Sequence, residues 1–131
     1  LCLGAGGFFP VEDVLIDTIL KDLIASVKGA QAAIFLDGDG EAISNMGDTV
    51  MDIKLLGAWK ELHLDQIRDI TRRLGLGDVT AVLFTQDEGN AIMAPVVEDY
   101  CLLLFLSSLA DTQSAMNKLK EAIVLLKKDI E

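Results

Sequence analysis

The chain has 131 residues, a formal net charge of −10 and 51% hydrophobic residues, values that fit one compact domain of ordinary size. The apolar half of the composition excludes an intrinsically disordered chain. The acidic balance, with no run of Lys or Arg longer than two, argues against a partner that is DNA, RNA or an anionic membrane. We therefore expect a protein partner, and we divide the chain into an N-terminal segment, residues 1–10, and a single domain over residues 11–131.

The two cysteines indicate a reducing compartment, and we predict a cytoplasmic protein. Cys2 and Cys101 have no metal-ligand spacing and are too few for a disulfide framework. Cys101 stands in an apolar stretch, so we expect it to be a small buried hydrophobic residue. The longest uncharged run, residues 100–110, is about half of the roughly 20 residues that a membrane-spanning helix needs. No membrane insertion, metal or cofactor is predicted.

The first half of the chain reads as a helix, a hairpin and a second helix. Pro10 suits the first turn of a helix that Gly29 ends, and the three- and four-residue spacing places Leu15, Ile19 and Leu23 on its apolar stripe. A short apolar strand, residues 32–36, leads into Asp37-Gly38-Asp39-Gly40, whose Asp-Gly pairs favour a tight turn before a return strand. Residues 52–74 then have the spacing of an amphipathic helix.

The second half predicts three strands, over residues 79–85, 91–97 and 100–106, followed by a helix. The strands are so closely spaced that they must run antiparallel. Pro95 lacks a backbone donor and should lie near the end of its strand or at a bulge. Asp111 or Thr112 is expected to cap the last helix.

The resulting order is α-ββ-α-βββ-α, an α/β fold of the α+β type. We predict one five-stranded antiparallel sheet of strand order 2-1-5-4-3, covered by three helices. Residues 79–85 form one edge of that sheet, where Val79, Ala81 and Leu83 alternate with Thr80, Val82 and Phe84. An unpaired edge of this composition is liable to pair with another chain.

The second helix carries a wider apolar arc than one sheet contact needs. We expect Leu56, His63 and Ile70 to face the sheet. The remaining apolar side chains would then face away from their own subunit and, together with the edge strand, form a dimer interface: Leu55, Ala58, Trp59, Leu62, Val79, Ala81 and Leu83. Trp is the residue most often found as an interface anchor, so Trp59 is expected near a two-fold axis.

Three patterns invite a chemical interpretation and favour a structural one. The Asp37 turn begins like a calcium-binding loop, but Ala42 and Asp48 stand where that loop needs Gly and a bidentate Glu. His63 is the only histidine and has no apparent catalytic partner, so a packing or interface role is expected. Arg72-Arg73 would suit an arginine finger, but basic residues at a helix C-terminus already complement the helix dipole. We predict that the protein is not an enzyme.

The order of the elements resembles the roadblock/dynein light chain family. The residues that carry the resemblance are the Asp37-Gly38-Asp39-Gly40 turn after an Ile-Phe-Leu strand and the segment Gly89-x5-Pro95-Val96-x3-Tyr100-x-Leu102 before a capped C-terminal helix. The resemblance covers about residues 12–130 and is closest in kind to bacterial MglB-like GTPase regulators.

The resemblance implies a profilin-like fold and a homodimer made by the second helix and third strand of each subunit. It further implies a platform for a Ras-like small GTPase, with activation of GTP hydrolysis as one role. Two alternatives stay open. One is a structural adaptor or light-chain-like scaffold that leaves nucleotide hydrolysis unchanged. The other is a small-molecule sensor, which would need a cavity lined by convergent polar groups.

Overall fold

The structure, a computed structural model, describes residues 10–48 and 52–130. The predicted N-terminal segment, residues 1–10, lies outside this part of the chain except for Pro10. The elements, in chain order, are α1 (Pro10–Ser26), β1 (Ala30–Leu36), β2 (Ala42–Gly47), α2 (Ile53–Lys60), a π-helical segment (Glu61–Asp65), α3 (Gln66–Arg73), β3 (Val82–Gln86), β4 (Gly89–Pro95), β5 (Cys101–Leu106) and α4 (Thr112–Ile130). We refer to α2, the π-helical segment and α3 together as the central helix.

The five strands form one antiparallel sheet of order β2-β1-β5-β4-β3, which confirms the predicted fold class and strand order. The inner strands β1 and β5 are fixed by pairs such as Phe35 with Leu102. β3 and β4 pair from Val82–Met93 to Gln86–Gly89, so only Asp87 and Glu88 form the turn. β3 lies at one edge of the sheet, as predicted.

β3 is shorter than predicted, because it begins at Val82 rather than at Val79. The register with β4 would place Thr80 opposite Pro95, the last residue of β4. Proline has no N–H with which to continue a ladder, so pairing ends before that point. The prediction that Pro95 lies near the end of its strand is confirmed, whereas the prediction that Val79 and Ala81 belong to the edge strand is wrong.

Helices cover both faces of the sheet unequally. On one face, α1 and α4 enclose a core that includes Phe35, Leu102 and Leu104, all fully buried. On the other face, the central helix packs on Ile34, Met93 and Leu103 through a smaller core. Burial on both faces explains why β5 is apolar at every position. Within α1, Leu15 is 47% exposed although the spacing placed it on the buried stripe.

Side-chain carboxylates define the turns and helix starts, as the sequence indicates. Asp37 Oδ1 accepts hydrogen bonds from the backbone N–H groups of Asp39 (2.9 Å) and Glu41 (3.0 Å), which closes the β1–β2 turn. Asp52 accepts from the N–H groups of Lys54 and Leu55 and caps the central helix. Asp111 caps α4 in the same way. The turn interpretation of the Asp37 segment is therefore confirmed.

The central helix differs from the prediction in its register. Leu56 and Leu64 are buried against the sheet, whereas His63 is exposed and Ile70 is 53% exposed. The expectation that His63 and Ile70 face the sheet assumed an uninterrupted α-helix. The π-helical segment adds one residue to a turn, so the residue that faces the sheet after Leu56 is Leu64 and not His63.

Two glycines bring the central helix against the β1–β2 turn. A Cβ atom built on Gly57 would lie 2.7 Å from the carbonyl oxygen of Gly40, and one built on Gly40 would lie 3.0 Å from the Cα of Gly57. Gly40 also has a φ of +82°, which favours glycine. The contact is backbone to backbone, so no side chain can move to make room for a larger residue.

No described helix is both long and apolar enough to span a membrane.

Gly57→Ala should destabilise the protein although alanine favours a helix. The added methyl group meets the Gly40 backbone, and overpacking of this kind costs about 1–3 kcal/mol, more than the helix gain of about 1 kcal/mol. Urea unfolding followed by circular dichroism measures the difference. Gly38→Ala is the matched control, because its Cβ would meet the side chain of Asp99 at 3.2 Å rather than backbone. A Gly57→Ala protein more stable than the wild type contradicts the close contact.

Cys101 should be inert in the folded protein. The thiol is buried, and loss of hydration raises its pKa from 9.0 to about 12. A thiol reagent at pH 8 should therefore modify Cys101 in a Cys2→Ser variant only when the chain unfolds, because the thiolate is the reactive form. The same shift contributes stability that is present below pH 9 and is lost as the pH rises towards 12. Rapid modification without denaturant would show that Cys101 is accessible.

Candidate functional site

The predicted interface residues of the central helix lie together on the protein surface. Leu55 is 67% exposed, Leu62 is 55% exposed and Ala58 is exposed, while Trp59 is half-buried. We call these four residues the helix patch. With Leu56, Phe105, Gln86 and Asp52 they line an apolar groove of about 480 Å³. Exposed apolar area concentrated in this way is typical of an interaction site.

Trp59 does not face away from its own subunit, so that part of the prediction is wrong. Its ring packs on Phe84 with 4.7 Å between centroids, lies 6.4 Å from the ring of Phe105 and meets His63 edge-on at 6.3 Å. The ring therefore contacts both the edge strand β3 and the middle strand β5 on the face that the central helix covers. His63, expected to be partly buried, is exposed and also lies edge-on to Phe84 at 5.9 Å.

The predicted interface residues before and within β3 do not form one surface with the helix patch. Val79 is half-buried and packs against the core beneath the central helix. Ala81 is half-buried and packs against the core of the opposite face. Leu83 is 40% exposed and lies between Val82 and Phe84, which both pack beneath the central helix, so alternation directs Leu83 to the other face. β3 nevertheless lies at an edge that no other described strand pairs with, since β4 is its one neighbour among the strands of residues 10–48 and 52–130.

A part-buried ion pair that the sequence did not reveal spans the π-helical segment. Lys60 is 2% exposed, and its Nζ lies 3.2 Å from Oδ2 of Asp65. Residues five apart become neighbours in a π-turn, so the pair matches the local geometry. Asp65 Oδ1 is buried and has no hydrogen-bond partner among the described residues. The spacing along the helix would have indicated that Lys60 is buried, because it lies four residues after Leu56 and four before Leu64, which are both buried.

Arg72 and Arg73 are both engaged in surface ion pairs. Nε of Arg72 lies 3.1 Å from Asp78, and Nε of Arg73 lies 3.1 Å from Asp69. These contacts agree with the structural interpretation of the two arginines. Among the described residues, no group of three His, Cys, Asp or Glu side chains is arranged to hold a metal ion.

Solved structures share this fold at low sequence identity. A Roadblock/LC7 domain from Streptomyces avermitilis is 19% identical, with a TM-score of 0.78 over 87% of this chain and 96% of its own. MglB from Myxococcus xanthus is 16% identical, with a TM-score of 0.81 over 98% and 92% of the two chains. An MglB structure with a tetrameric arrangement is 14% identical, with a TM-score of 0.81 over 98% and 93%.

Sequence comparisons alone do not find these similarities, since no protein-family model and no curated protein sequence matches the chain. The likeness is therefore one of structure. It spans nearly the whole length of each compared chain. The chain has the fold of Roadblock/LC7 domains, as its order of elements predicted.

Proposed function

We propose that the protein is a roadblock-family regulator that forms a homodimer and serves as a platform for a Ras-like small GTPase. The observation that carries the proposal is the apolar groove beside the helix patch, on the sheet face that only the central helix covers among the described elements. The likeness to MglB and to Roadblock/LC7 domains supports the GTPase part of the proposal.

The geometry of the sheet explains why this face needs a partner. Five strands about 4.8 Å apart make a sheet about 19 Å wide, whereas one helix with its side chains is about 10 Å across. The face covered by α1 and α4 has two helices, and its core is large. Among the described elements the other face has one, and Phe84 on the edge strand and Phe105 near the end of β5 are only half-buried beside Trp59.

A second copy of this chain is the occupant that fits. Its own helix patch is apolar and would supply the second helix of the layer, in an isologous contact of the kind that two-fold symmetry creates. The open edge of β3 lies at the same side of the sheet and could pair with its symmetry mate. The dimer would leave the α1 and α4 surfaces free.

Leu62→Glu should convert the dimer to a monomer without unfolding it. Leu62 is 55% exposed, so the monomer loses little packing, whereas a buried carboxylate in the interface should weaken dimerisation by about 30-fold or more. Sedimentation velocity over a range of concentrations measures the change. Leu109→Glu is the matched control, because Leu109 is 94% exposed and lies outside the groove.

The two leucine variants also separate folding from assembly in a way that Trp59→Glu cannot. Since Trp59 packs on Phe84 within the subunit, its replacement should lower both monomer stability and dimerisation. A wild-type chain that sediments at 14.1 kDa at micromolar concentration, or a Leu62→Glu protein that remains dimeric, would place the interface elsewhere.

The GTPase role is tested with a Ras-like GTPase from the same organism. We expect the wild-type protein to bind the GTPase loaded with a GTP analogue more tightly than the GDP form and to raise its rate of GTP hydrolysis. The protein alone should hydrolyse no GTP, because we propose that it is not an enzyme. Binding without a change in hydrolysis would establish the adaptor alternative, and absence of binding to either form would contradict the platform.

A further inference from the structure

A second cleft, of about 500 Å³, lies at the other end of the central helix from the helix patch. Arg68 and Arg72 of α3 form one wall, and Lys120 and Lys127 of α4 form the other. The connection that leads into β3 and the end of β4 complete the lining with Asp78, Val79, Thr80, Pro95, Val96, Glu98 and Ile123. Four cationic side chains thus surround one cleft in a protein whose net charge is −10.

The two acidic residues of the cleft leave cationic groups without a partner. Arg72 is paired with Asp78 at 3.1 Å. Arg68 donates a hydrogen bond from one terminal nitrogen to the backbone carbonyl of Glu98 at 3.0 Å. No described carboxylate lies within ion-pair distance of Lys120 or Lys127. The cleft therefore has more positive than negative charge.

Arg68 supplies an independent indication that a ligand belongs in the cleft. Its Nε is buried and has no hydrogen-bond partner among the described residues. A buried donor without an acceptor costs about 1–3 kcal/mol, so Arg68, which lines the cleft, gains free energy when a ligand supplies an acceptor to its guanidinium group. Guanidinium groups bind planar or tetrahedral oxyanions through two parallel hydrogen bonds.

The overall charge limits the kind of anion. A net charge of −10 repels an extended polyanion such as nucleic acid, which needs a wide basic surface. A compact anion interacts with the cleft at short range, where salt at physiological strength, with a screening length of about 8 Å, leaves the attraction largely intact. The cleft volume also exceeds what a bare phosphate ion requires.

We infer that this cleft binds the phosphate group of a small molecule, with Arg68, Lys120 and Lys127 as its ligands. Lys120 and Lys127 are two turns apart on α4 and so project from the same face of that helix. The phosphate would satisfy Arg68 Nε and neutralise the two lysines. The site would be separate from the helix patch, so it would be present in monomer and dimer alike.

Titration of the full-length protein with inorganic phosphate, followed by NMR, tests the inference. The Nε–H signal of Arg68 and the amide signals of Thr80 and Glu98 should shift together and saturate with one dissociation constant. Sodium chloride at matched ionic strength should produce no saturable shift. A phosphate ester, glycerol phosphate, is titrated in parallel: tighter binding than inorganic phosphate identifies an ester as the ligand, and equal binding identifies free phosphate.

Two sets of variants assign the binding to this cleft. Arg68→Gln should weaken phosphate binding by about tenfold or more, the loss expected for a charge-assisted bidentate contact. The double variant Lys120→Gln, Lys127→Gln should do the same and does not depend on Arg68, should the Arg68 variant fold poorly. Lys118→Gln is the matched control, because Lys118 lies on α4 beside Glu121, outside the cleft.

Three results would overturn the inference. Phosphate that fails to saturate, or saturates with the same dissociation constant in the Lys120→Gln, Lys127→Gln variant as in the wild type, excludes a phosphate site in this cleft. Binding of an acidic peptide in place of phosphate would also exclude it and would assign the cleft to a protein partner. Dimerisation and GTPase binding are measured separately, so their failure would leave this test unaffected.

Discussion

The requirement that an apolar sheet be covered on both faces determines the rest of this structure. β5 is apolar at every position and lies in the middle of the sheet, so water must be excluded above and below it. Two helices accomplish this on one face. On the other face the central helix is the one described element that covers the inner strands, and its flank remains apolar and exposed at Leu55 and Leu62. The same constraint thus stabilises the monomer and creates the surface that we assign to a partner.

Local signals in the sequence were sufficient to predict the elements and their order. Asp37, Asp52 and Asp111 each satisfy backbone donors within four residues of themselves, so their roles depend on short stretches of chain. The same holds for Pro95, whose missing N–H ends a strand wherever it lies. Antiparallel order followed from the short links between the last three strands.

Side-chain orientation was less predictable, because it depends on tertiary contacts. A helical wheel assumes one residue spacing throughout, and the π-helical segment breaks that assumption between Lys60 and Gln66. His63 and Ile70 were therefore assigned to the wrong side. Val79 and Ala81 were misassigned for a different reason: their apolar alternation is typical of a strand, but the register with β4 would place Pro95, which has no N–H, opposite Thr80 between them. Leu15 has apolar neighbours on several sides of α1, and only packing decides which side is buried.

The π-helical segment links the part-buried ion pair to the cationic cleft. Each helical residue advances the side chain by about 100°, so one extra residue changes every position that follows. In an uninterrupted α-helix, Ile67 would lie on the same side as Leu56, which faces the sheet, and Arg68 would lie to one side of it. The inserted residue moves Arg68 towards the sheet-facing side, where its Nε is buried.

Lys60 lies on the same side of the helix, directly before the π-helical segment and one turn before Leu64, and pairs with Asp65. Lys60 is therefore buried, and Arg68 half-buried, on a side of the helix where apolar side chains would pack better, and the burial of the Lys60 charge has a considerable desolvation cost. The ion pair offsets that cost for Lys60 but leaves Arg68 Nε without an acceptor in the described chain. Ile67 and Arg68 are both half-buried, so the sheet-facing side of α3 is shared between an apolar and a cationic residue. The register of the central helix thus brings Arg68 to the cleft in which we infer a phosphate group.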